Sequence, residues 1–63
     1  MAVNPVQLQK FLRGMDYPAG KDELIRHAEQ HGADQKVIDT LRRIPGRTYD
    51  GPSAVSAAVG DVT

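Results

Sequence analysis

Glycine and proline decide what this chain can build. Gly14, Gly32, Pro45, Gly51-Pro52 and Gly60 divide it into short segments. Each break falls where an α-helix needs to start or stop. Asn4 suits an N-cap, because its side chain accepts from the N–H groups left orphaned in a first turn, and Pro5 suits the first helical position. Gln7 is placed to return a bond to that cap, and Val3 and Leu8 flank it as a hydrophobic staple. Leu8, Phe11, Leu12 and Met15 recur at helical spacing, and Gly14 supplies a left-handed stop. These signals predict a first helix near residues 5–13.

The same logic predicts helices near 21–31, 35–43 and 52–59. Asp16 to Gly20 is a connector. Gly20 is a weak cap, offset by Asp22 and Glu23 in the first turn, where the helix dipole favours negative charge. Gly32 stops the second helix and Asp34 caps the third. Arg42 and Arg43 suit the third helix's last turn, and Pro45 biases Ile44 out of the helical region. Arg47-Thr48-Tyr49 is expected to be extended, enough for a bridge and too short for a sheet. Pro52 opens the fourth helix, Gly60 is expected to end it, and residues 61–63 are expected to fray.

Sixty-three residues with no cysteine leave little else to hold a fold together. Disulfides and thiolate zinc sites are excluded. A chain this short buries only about 60% of its unfolded surface. The candidate core is Leu8, Phe11, Leu12, Met15, Tyr17, Leu24, Ile25, Ala28, Val37, Ile38, Leu41, Ile44, Tyr49, Val55 and Val59. Every segment contributes to it. The expected fold is therefore all-α: one compact four-helix domain over residues 1–63, ordered from about 4 to 60, with at most an isolated β-bridge.

Eight Lys and Arg balance eight Asp and Glu, so the net charge is zero. That argues against a generic nucleic-acid binder, which carries a basic excess. No apolar run approaches the roughly 18 residues of a membrane span, and the first residues lack the pattern of a secretory signal. No membrane association and a cytoplasmic location are the expectations.

Tyr17-Pro18-Ala19, Lys21-Asp22-Glu23-Leu24-Ile25, His31-Gly32-Ala33-Asp34, Ile44-Pro45 and Tyr49-Asp50-Gly51-Pro52 occur in this order. With Val6 to Leu12, this set resembles a family of small, mostly actinobacterial proteins known only as a domain of unknown function. The likeness covers nearly the whole chain. Gly20 departs from the family pattern, where a hydroxyl residue caps the helix, and the fourth helix is poorer in acidic residues. The resemblance implies a bacterial cytoplasmic protein and transfers no catalytic residue.

Three constellations invite chemistry. His27 and His31 are four apart on the second helix, with Glu23 one turn earlier. Two His and a carboxylate can hold a metal, but Glu29 is misplaced for a zinc-protease helix. The plainer reading has His31 beside the Leu24–Ala28 stripe, with His27 and Glu23 solvated. Ser53 and Ser56 lack a neighbouring base, and a chain this small has little room for a pocket of about 300 Å³. No enzymatic activity, cofactor, metal or small-molecule substrate is expected.

The third constellation is the pair of helices around Gly32. Ala28, Gly32, Ile38 and Leu41 have the spacing of a helix-turn-helix. The third helix would then expose Gln35, Lys36, Asp39, Thr40 and Arg43, with Arg42 and Arg47 close by and the Arg47–Gly51 loop as a small wing. Asp34 and Asp39 oppose a phosphate backbone, and Asp39 is spaced to pair with Arg43. The sequence thus favours a non-catalytic helical module that binds a protein partner or a second copy of itself. A small helix-turn-helix-like DNA-binding regulator is the alternative. On either reading the expected binding residues are Gln35, Lys36, Arg42, Arg43 and Arg47.

Overall fold

The computed structural model describes residues 4–62. Its elements run α1 (Pro5–Phe11), β1 (Ala19–Gly20), α2 (Lys21–Gln30), α3 (Gln35–Arg43), β2 (Thr48–Tyr49) and α4 (Pro52–Val62). The fold is mostly helical, with principal extents of 27 × 23 × 18 Å.

Local chemistry sets most boundaries. The Asn4 side chain accepts a 2.8 Å hydrogen bond from the Val6 N–H. No return bond from Gln7 accompanies it among the described residues, and the expected Val3–Leu8 staple lies outside them. The first helix ends at Phe11, short of the expected Arg13, because the backbone turns through Leu12 and Arg13 to Gly14 at φ +79°. Gly32, at φ +78°, closes α2. There the Gly32 N–H donates to the Glu29 carbonyl and the Ala33 N–H to the Ala28 carbonyl, at 3.1 and 3.0 Å. This is a Schellman cap, and half-buried Ala33 supplies its apolar contact. Asp34 then caps α3 through a 3.1 Å bond from the Val37 N–H, and Ile44 leaves the helix at ψ 156°.

The fourth helix departs from expectation. It continues through Gly60 to Val62 instead of ending at residue 59. Glycine costs about 1 kcal/mol in a helix interior. Continuing seven residues past Val55 brings Val62 onto the same stripe, where it packs against the core. Apolar packing therefore overrides the glycine, and residues 61 and 62 are helical.

β1 and β2 pair antiparallel, with Ala19 opposite Tyr49 and Gly20 opposite Thr48. The Arg47–Gly51 segment is therefore not a free wing, because its extended part is tied to the strand that leads into α2. α2 and α3 pack against each other through the Gly32 turn, and α4 covers α3 and α1. Every residue of the expected core is buried or packs against it: Phe11, Met15, Tyr17 and Ile25 are partly buried, and the other eleven are fully buried. Ala19, in the connector, joins them at 1% exposure. Gln9 fastens α1 to α4, its amide donating to the Pro52 carbonyl (3.1 Å) and the Ser56 hydroxyl (2.7 Å). Among the described residues no helix is long and apolar enough to cross a membrane.

Candidate functional site

The outer face of α3 and the turn that follows it gather the expected binding residues. Val37, Ile38 and Leu41 point inward and leave Gln35, Lys36, Asp39, Arg42 and Arg43 exposed on the other side. Arg47 is exposed just beyond the Pro45-Gly46 turn. Thr40 does not lie on the open face where helical spacing puts it: it is 7% exposed. Wedged between α2 and α4, α3 buries a stripe wide enough to include it. Its hydroxyl donates to the Lys36 carbonyl at 2.8 Å, which satisfies it without a distant partner.

The backbone under the arginines is fixed at several points. Lys21, at the start of α2, donates its ammonium to the Arg42 carbonyl, one of the acceptors that a helix end leaves open. The Tyr49 hydroxyl donates to the Pro45 carbonyl at 2.6 Å, and the Arg47 N–H donates to the same oxygen at 3.0 Å. The Arg47 guanidinium carbon lies 5.5 Å from the centre of the Tyr49 ring, within cation–π range. Asp39 does not take the expected Arg43 partner. Its carboxylate accepts from the Gln35 amide at 2.7 Å, one helical turn earlier. Arg43 is therefore not held by Asp39, although the Asp39 charge stays on the same exposed face. Lys21 was missed in sequence because its acceptor lies 21 positions away and carries no local signal.

The histidines exchange the roles expected of them. His27 is half-buried and its Nε2 lies 2.9 Å from the Arg13 carbonyl oxygen, bridging α2 to the exit of α1. His31 is exposed and stacks on His27, with ring centroids 4.3 Å apart. Glu23 instead reaches back to accept from the Gly20 N–H at 3.4 Å. No group of three or more potential metal ligands forms among the described residues.

Although a chain of this length has little room for a pocket, two open clefts mark its surface. One, of about 380 Å³, lies between the start of α2 and Gly46–Thr48 and includes Arg47. The other, of about 570 Å³, runs along α1 and is lined in part by Tyr17. The Tyr17 hydroxyl is buried out of contact with water and has no hydrogen-bond partner among the described residues. Burial pushes its pKa above the usual phenol value.

A buried polar group without a partner costs about 1–3 kcal/mol. Tyr17→Phe is therefore expected to leave stability unchanged or raise it by up to about 1 kcal/mol in urea melts. It should also remove an alkaline effect. The raised native pKa means that the unfolded phenol ionises first, so stability holds below pH about 10 and falls as the pH climbs toward the native value. The variant should lose less stability over that window than the parent.

The sequence model of a family described as "Protein of unknown function (DUF2795)" matches residues 3–56. The chain belongs to this family. No curated protein and no solved structure matches it.

Proposed function

We propose that this protein is a non-catalytic binding module of a bacterial cytoplasm, whose partner is another protein. The contact surface is the exposed face of α3 continued by Arg47, namely Gln35, Lys36, Arg42, Arg43 and Arg47. The observation that carries this reading is the fixed backbone beneath the arginines, built by Lys21, Tyr49 and Pro45. Ordering a flexible loop on binding costs affinity, and a pre-set turn avoids that cost. Arginine suits such a surface, because its planar fork makes paired bonds to carboxylates and stacks on flat groups.

A second reading is a small DNA-binding regulator that uses α3 as its reading helix. The Gly32 turn between α2 and α3 supports it, and the carboxylates of Asp34 and Asp39 on the approaching side oppose it.

Affinity capture from the native host, with and without nuclease, separates the two. A partner retained after nuclease supports the protein reading, and loss of all partners on nuclease treatment supports DNA. Arg43→Ala with Arg47→Ala tests the surface. Losing exposed Arg43 changes stability by about 0.5 kcal/mol or less and losing the Arg47–Tyr49 contact costs about 0.5–1 kcal/mol, so the fold should be retained with a small drop in the melting curve. Binding of the captured partner should weaken at least tenfold. Unchanged affinity would dispose of the assignment.

A further inference from the structure

The cleft along α1 shares no residue with the α3 surface and has a chemistry of its own. Val6 and Lys10 lie one turn apart on α1 along its rim and Arg13 continues it in the turn after the helix, while Leu12, Met15 and Tyr17 line it with apolar surface. Lys10 and Arg13 are its only charged lining among the described residues. The chain from Asn4 to Met15 contains no acidic residue, and Asp16, the first one after it, is exposed and does not line the cleft. Val6 stands at the lip with 77% of its surface exposed, the one large apolar side chain so placed among the described residues. Gln9 holds the opposite wall by its bonds to Pro52 and Ser56, so the cleft is formed before anything enters it.

We propose that this cleft docks an acidic segment of a partner protein, which seats an apolar side chain against Leu12, Met15 and Tyr17 and sets carboxylates against Lys10 and Arg13. Charge complementarity selects the acidic character. The cleft is open along α1 with Val6 exposed at its lip, which suits a segment laid across the surface. At about 1.5 Å per residue, Val6 and Lys10 lie roughly 6 Å apart along α1, and Arg13 follows in the turn beyond the helix. An extended strand advances about 3.3 Å per residue, so about two residues match the Val6–Lys10 stretch and the next ones reach toward Arg13. This inference does not depend on the α3 surface, and loss of binding at Arg43 and Arg47 would leave it standing.

The test is an amide NMR titration of the full ¹⁵N-labelled chain with three acetylated, amidated hexapeptides. The first is Glu-Asp-Leu-Phe-Asp-Glu. The second replaces its four acids with lysine, and the third replaces Leu and Phe with serine. The first should shift the amides of Val6 to Tyr17, and the other two should bind at least tenfold more weakly. Lys10→Glu with Arg13→Glu, checked for an unchanged circular dichroism spectrum, should reverse the preference toward the lysine peptide. Should that variant misfold, Lys10→Gln with Arg13→Gln should weaken the acidic peptide at least fivefold. Equal binding of the acidic and lysine peptides, shifts confined to α3, or no shift at millimolar acidic peptide would overturn the proposal.

Discussion

Leu41→Ala is expected to unfold most of the protein at room temperature. Leu41 is fully buried on the side of α3 that packs between α2 and α4. Emptying such a site costs about 2–5 kcal/mol, part of it lost transfer energy and part the cavity left behind. A single core in a chain of this length supplies only about 3–5 kcal/mol in total. The two quantities are comparable, and no disulfide is present to limit the unfolded state. Far-UV circular dichroism should show loss of most helix at 25 °C. Leu41→Met keeps the volume and should cost less than about 1.5 kcal/mol, with a cooperative urea transition retained. A Leu41→Ala protein that melts within 1 kcal/mol of the parent would contradict the packing described here.

Tyr49→Ala should be at least as damaging and should reach further. Tyr49 has the largest of the fully buried side chains, pairs with Ala19 across the two strands, and holds Pro45 through its hydroxyl. Truncating a buried aromatic residue costs about 3–5 kcal/mol. Tyr49→Phe separates packing from the hydrogen bond, since it removes only the bond to Pro45, worth about 0.5–1.5 kcal/mol. The phenylalanine variant should fold, but with a looser turn beneath Arg47. Its partner affinity should therefore fall even though every exposed arginine remains. Full affinity in a folded Tyr49→Phe protein would mean that the anchored turn plays no part in binding.

What could be read in the sequence was local. Asn4, Gly32, Asp34 and Ile44-Pro45 act within a few residues of themselves, so their capping and stopping roles follow from chemistry alone. The open face of α3 was legible because an amphipathic period assigns both sides of a helix at once. Three kinds of feature were not legible. The pairing of Ala19 with Tyr49 joins residues 30 apart, and no short-range signal marks the partner. Gly60 and Thr40 depend on how wide a stripe the neighbouring helices cover, so helix propensity misassigned the first and polarity the second. The exchange between His27 and His31 depends on where the exit of α1 lies, since the Arg13 carbonyl draws His27 inward. The arginine cluster could be seen in sequence. Its support, from Lys21 across to the Arg42 carbonyl and from Tyr49 to Pro45, appears only once α2 and β2 are packed beside it.

The central claim is that the exposed face of α3 and the Arg47 turn form the surface that meets a protein partner. Amide and arginine side-chain NMR on the ¹⁵N-labelled chain, titrated with the captured partner after nuclease treatment, tests it most directly. The account predicts shifts or broadening at Gln35, Lys36, Asp39, Arg42, Arg43 and Arg47, with the arginine Nε signals among those most affected. Perturbation that bypasses α3 and the Arg47 turn would contradict it.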